Sequence, residues 1–243
     1  MDPAAIALAL AGLFLAGIIK GGTGLGFTSC ALPFLVPAVG LPVAMTLVIA
    51  PALATNAGVA LGAGHFRDTA RGFWLFYVAT LPGIVIGLSL LLSIDRAIAV
   101  RALGACVIAY AILAVVKPNL RLAPGLAHKL QAPLGLTNGI IAGLTGSQVV
   151  PLLPYMMSLG LEPARLVQAI NLSVMLSSIG LALALAWTGI GSEFVFKMSM
   201  LAIAPAILGV QLGSRWRARM SAERFRKVVL GVLFIIGVSL IAR

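Results

Sequence analysis

Acidic side chains are the scarcest class in this chain: six among 243 residues, at Asp2, Asp68, Asp95, Glu162, Glu193 and Glu223. Charged residues of both signs reach only 9%, against about 25% in an average globular protein. That shortage excludes a soluble single-domain enzyme, whose surface these residues could not solvate. The 61% hydrophobic content excludes intrinsic disorder. Cysteine is nearly absent: Cys30 and Cys106 both sit in apolar runs and provide no disulfide framework. The two histidines, His65 and His128, fall in loops, and no Walker loop, His-Glu-x-x-His motif or metal-ligand cluster is present. The sequence therefore predicts no cofactor, no metal and no enzyme. The first residues lack a basic region, so the first apolar run reads as a membrane segment and not as a cleaved signal.

What is abundant is apolar length. Mean hydropathy is +1.12, and runs long enough to approach a 30 Å hydrocarbon core lie at roughly 4–20, 27–39, 42–64, 73–92, 97–116, 132–142, 147–159, 164–188, 194–213 and 226–242. They are long and continuous, not short and alternating as in a barrel, so the expected fold is all-α and polytopic. The net charge of +11 reflects Lys and Arg gathered in cytoplasmic loops beside anionic headgroups, so membrane lipids are expected partners and nucleic acid is not. Segments two, six and seven are short for full spans, and each short pair flanks a glycine-rich break, at 21–26 and 143–146.

The breaks reveal a duplication. Residues 17–24 match 139–146 at six of eight positions, with Lys20 replaced by Ala142. The correspondence continues through Pro33 and Pro154, Pro42 and Pro163, Pro82 and Pro205, and ends with Leu103-Gly104 over Leu230-Gly231. Two homologous halves follow, 1–118 and 130–243, joined by a polar cytoplasmic linker at 119–129. With four crossings per half, Lys and Arg divide 7:9 between the two sides. If each broken pair is a hairpin, each half has five segments and the division becomes 12:4, with Arg67, Arg71, Lys117, Arg121, Lys129, Arg165 and the six of 215–227 on one side. The second arrangement obeys the positive-inside rule. Five is odd, so it makes the halves inverted repeats; the alternative is four plus four, parallel.

Short, glycine-interrupted segments at matching positions of two repeats point to a midplane substrate site. A helix that stops inside the bilayer leaves N–H groups unpaired at a positively polarised end, and glycine lets that backbone approach an anion. The competing reading is that these glycines only permit tight helix packing. Lys20, at the edge of the first break, either adds full charge to an anion site or snorkels to the interface. The candidate binding set is Lys20, Gly21, Thr23, Gly24, Asn56, Gly143, Thr145, Gly146, Ser147, Gln148, Gln168 and Asn171. Ser29, Ser177 and Ser178 lie near it in the pattern. No acidic residue falls at mid-membrane depth, so a carboxylate proton relay has no candidate.

The run Gly17-x-x-Lys20-Gly21-x-x-Gly24-x-Gly26, followed by Pro33, Ala44, Pro51 and Asn56, resembles the TauE/SafE family of sulfite and organosulfonate permeases. Asn138-Gly139-x-x-Ala142-Gly143-Leu144-Thr145-Gly146 with Pro151 and Pro154, and Pro82-Gly83-x-x-x-Gly87, carry the same resemblance. It implies a multi-pass transporter of the bacterial inner membrane that exports sulfur-containing anions such as sulfite or sulfonates, leaving open the particular anion, a homo-oligomer and a coupling ion. Ser147-Gln148 stand where the family often has a further glycine. A passive anion channel shares these features. A DsbD-like electron relay, suggested by Ser29-Cys30-Ala31-Leu32-Pro33, fails because the second half holds no cysteine.

Overall fold

A computed structural model describes residues 3–23, 26–62, 64–116, 121–189, 192–219 and 222–242. Among them the secondary structure is entirely helical: α1 (Pro3–Thr23), α2 (Phe27–Val39), α3 (Leu41–Leu47), α4 (Ile49–Gly62), α5 (Phe66–Gly72), α6 (Trp74–Ser93), α7 (Arg96–Val116), α8 (Pro124–Thr145), α9 (Leu152–Ser158), α10 (Pro163–Thr188), α11 (Glu193–Leu201), α12 (Ile203–Arg219) and α13 (Ala222–Ala242). Among the described residues six helical stretches are long and apolar enough to cross a membrane: Ala4–Gly22, Leu41–Gly58, Trp74–Ser93, Arg96–Leu113, Pro163–Thr188 and Glu193–Trp216. The chain is a polytopic membrane protein.

Three boundaries differ from the hydropathy reading. The apolar run 132–142 is the inner part of a 22-residue helix, α8, which opens at Pro124 and whose first turns carry Gly125, His128, Lys129 and Gln131. The stretch 119–129 therefore includes helix from Pro124 onward. The run 42–64 is interrupted at Val48. Its cause is Pro51, which has no N–H to offer the Leu47 carbonyl four residues back. Ser199 on α11 makes up the loss: its hydroxyl donates to Leu47 O at 3.0 Å and accepts from Ala50 N at 3.1 Å. Pro205 stands in the same relation to the break at Ala202 between α11 and α12.

Both short segments double back. Phe34 and Leu35 of α2 lie against Gly12 of α1, so α2 returns along the helix that precedes it. In the second half, Leu122 N donates to Ser158 O at 3.0 Å and Tyr155 Oη donates to Ala127 O at 2.9 Å, bringing α9 back beside the start of α8. At 13 and 7 residues, α2 and α9 are about 20 Å and 10 Å long, too short to span alone.

The most extensive pairings join early helices to late ones: α6 with α8, α1 with α12, and α7 with α13. Glycine makes the first two possible. A Cβ on Gly83 would strike the Leu136 carbonyl, one on Gly143 the Ile84 carbonyl, one on Gly21 the Val210 carbonyl and one on Gly209 the Phe14 carbonyl. Backbone thus meets backbone with no side chain between, as membrane helices do when small residues line the contact. Contact positions rise together along α6 and α8 and along α1 and α12, so each pair is parallel. The same holds for α6 and α10, since Tyr77 meets Ala169 while Leu81 and Ile84 meet Gly180. By contrast α7 and α13 are antiparallel: Gly104 touches Gly237 and Leu240, whereas Ala111 to Val116 share a groove with Leu230 and Phe234.

Candidate functional site

The two breaks meet in the interior. Ser29, in the first turn of α2, and Ser147, just past α8, have hydroxyls 2.9 Å apart and are both buried. Beside this contact is a cavity of about 30 Å³. The first break contributes Thr28 and Ser29 to its wall, the second Gln148 and Val149, α4 Asn56, and α10 Asn171.

Local sequence dictates this arrangement. Gly26 precedes α2 with φ of 80°, a left-handed conformation that suits glycine, and no side chain caps the helix. The amides before Cys30, whose N–H is the first to bond Gly26 O, therefore have no partner within the helix. Tyr110 on α7 comes so close that a Cβ on Gly26 would lie 3.1 Å from its hydroxyl oxygen. At the second break, Gly146 ends α8 with φ of 73°, its N–H bonding Ala142 O at 2.8 Å, and Thr145 Oγ1 accepts from Ser147 N at 3.1 Å. That bond turns the chain toward Ser29.

Lys20 is 4% exposed, so it does not snorkel. Its ammonium donates to Asn56 Oδ1, across α1 and α4. Asn56 in turn donates to Ala52 O at 2.6 Å, and Asn171 donates to Val167 O at 2.8 Å, the same i−4 bond on α10. Lys20 thus stands behind the cavity wall and reaches it through an amide. The described carboxylates all lie at helix ends: Asp68 in the first turn of α5, Asp95 just before α7, Glu162 just before α10, and Glu193 in the first turn of α11, paired with Lys197 at 2.6 Å. No described carboxylate lines the cavity. Thr28 Oγ1 and Gln148 Oε1, both on the cavity wall, are buried with no hydrogen-bond partner, and a buried polar group left unpaired costs about 1–3 kcal/mol.

Of the residues expected from sequence, the cavity collects Asn56, Gln148 and Asn171, with Ser147 alongside on Ser29 and Lys20 one bond away. Gly21 and Gly143 pack closely in the α1–α12 and α6–α8 contacts and are not among the residues lining the cavity. Thr145 is buried and bonded to Ile141 O, and Gly146 abuts Met45 and Leu32. Gln168 is fully buried outside the cavity lining, with both polar side-chain atoms unpartnered. The Thr23 side chain and Gly24 lie outside the described residues. Thr28 and Tyr110 are cavity residues that the sequence pattern did not single out. A usable signal existed for Tyr110, one of only three tyrosines, placed within an apolar span.

Cys30 and Cys106 are free, and both belong to the first half of the chain. Comparison with known families gives a match described as Sulfite exporter TauE/SafE and covering residues 8–240. No curated protein and no solved structure matches the chain.

Proposed function

The chain belongs to the sulfite exporter TauE/SafE family of membrane transporters, and from that premise we propose that it is a secondary transporter whose cavity between the two breaks holds a small sulfur-containing oxyanion, sulfite or a sulfonate. The direction is export across the bacterial inner membrane. The observation that carries this reading is the buried Lys20 ammonium on Asn56, an amide of the cavity wall. An interior cation with no described carboxylate beside it stabilises an anion there. The hydroxyl of Thr28, the amides of Gln148 and Asn171 and the first-turn N–H groups of α2, which have no partner within their helix, offer neutral donors to its oxygens.

Residues 1–118 and 130–243 act as inverted repeats in this mechanism. The antiparallel course of α7 and α13 supports that arrangement, because repeats pointing the same way would run their last helices in the same direction. So does the parallel course of α6 and α10. Inverted repeats give a carrier two related conformations, one open to each side, around a fixed midplane site. A cavity of about 30 Å³ has room for about two waters, which favours a closed carrier state over an open channel.

Counterflow in proteoliposomes tests the proposal. Labelled outside sulfite should accumulate transiently in vesicles preloaded with unlabelled sulfite, and Asn171→Ala and Gln148→Ala should each reduce that uptake severalfold. Flux of sulfite and sulfonates indistinguishable from empty vesicles would sink the reading, while flux without counterflow would point to a channel.

A further inference from the structure

On α10, three polar residues stand at successive i, i+3 positions: Arg165, Gln168 and Asn171. They cover about 9 Å of helix from one end of the bundle to the cavity, and residues so spaced are neighbours on one helix surface. Arg165 is half-buried, and its guanidinium lies beside Gly72 at the end of α5, where Gln131 Nε2 also donates to Gly72 O at 2.8 Å. Arg121 lies beside Gly160 just before α10. That end of the bundle therefore gathers basic side chains. None of the described acidic residues forms an ion pair with Arg165, and its Nε is buried without a partner.

The middle position is the most telling. Gln168 is 0% exposed, yet both its Oε1 and its Nε2 lack partners. A fully buried amide with nothing to bond is costly, and native interiors seldom leave one so without a role. In the register set by Pro42 and Pro163, the first half carries Ala44, Leu47 and Ala50 at these three positions, all buried and apolar. Packing alone does not require the polar set.

We infer that Arg165, Gln168 and Asn171 form a one-sided entry track for the anion, capturing it at Arg165 and passing it by way of Gln168 to the cavity at Asn171, while the opposite approach past Ala44, Leu47 and Ala50 is apolar. The inference rests on the transport reading above and deepens it. The track starts on the side to which the charge division assigns twelve Lys and Arg residues, so capture is from the cytoplasm. Arg165 acts there as a binding residue for the travelling anion; its planar fork suits a sulfur oxyanion as it suits carboxylate and phosphate.

The test is sulfite flux measured from each face separately, in proteoliposomes whose orientation is fixed by a labelled cysteine, at constant ionic strength. Arg165→Gln should raise the sulfite concentration for half-maximal flux from the Arg165 face about tenfold, the size of one charge-assisted hydrogen bond, and leave the value from the other face unchanged. Arg165→Lys should recover only part of the loss, since an ammonium keeps the charge but not the fork. Gln168→Leu loses no hydrogen bond in the resting protein, and it should repeat the one-sided effect should Arg165→Gln fail to assemble. Equal shifts from both faces, or no shift in folded variants, would overturn the track and leave transport itself standing. Wild-type protein that moves no sulfite would overturn both readings.

Discussion

An ammonium that donates to a neutral amide is an expensive thing to hold inside a membrane protein. Lys20 and Asn56 form such a pair, and their expense is met when an anion occupies the cavity that Asn56 lines. Lys20→Met should therefore weaken sulfite binding by about tenfold to a hundredfold, the worth of a charge-assisted interaction of roughly 1.5–3 kcal/mol, and Lys20→Arg should keep part of it. Because the charge acts through the amide, Lys20→Met with Asn56→Ala should be little worse than the more damaging single variant. Titrations of purified protein in detergent at fixed ionic strength measure both effects; strictly additive losses would separate the two residues. Neither thiol lines the cavity. Cys30→Ala with Cys106→Ser should leave sulfite flux within about twofold of wild type, since a buried cysteine packs as a small apolar residue. Complete loss in folded protein would bring back thiol chemistry.

At the scale of elements, glycine is the residue whose meaning the sequence leaves open. Gly21 and Gly143 each face a partner helix's backbone, at Val210 and Ile84. Gly143→Ala should therefore push α6 from α8 and cost about 1–3 kcal/mol by overpacking. Gly125→Ala, where an added Cβ meets nothing within 4 Å, should be tolerated. Thermal unfolding followed by size exclusion reads the difference, and equal melting would show that the α6–α8 contact yields more easily than its geometry suggests. Ten apolar runs are legible in the sequence because a bilayer demands apolar length, and both breaks are legible because glycine recurs at matching places. Lys20, Asn56, Gln148 and Asn171 stand out as polar residues in apolar runs. Gly21 and Gly143 do not reveal their task, since close approach to a ligand and close approach to a helix need the same missing side chain. Thr28 and Tyr110 escape notice because a threonine usually bonds its own helix and tyrosine is half apolar. The breaks at Val48 and Ala202 are invisible to hydropathy and follow from Pro51 and Pro205.

At the scale of the whole molecule, the inverted arrangement makes a topological prediction. Single cysteines placed at 65–72, 117–129 and 214–227, in a background lacking Cys30 and Cys106, should resist a membrane-impermeant thiol reagent in intact cells, whereas cysteines at either terminus should react. Labelling of 214–227 from outside would remove the inverted ten-segment topology. The crosswise pairing of α1 with α12 and of α6 with α8 also bears on how the protein is made. At about 5–20 residues per second of synthesis, α1 waits on the order of ten to forty seconds before α12 exists to cover its glycine face. During that interval the small-residue surface can meet only lipid, or a chaperone that shelters it. Neither half, born alone, can complete its own helix pairs. Two separately encoded halves, cut just before α8 at 121–123 and produced together, should find each other and survive, while each by itself should be cleared by membrane proteases.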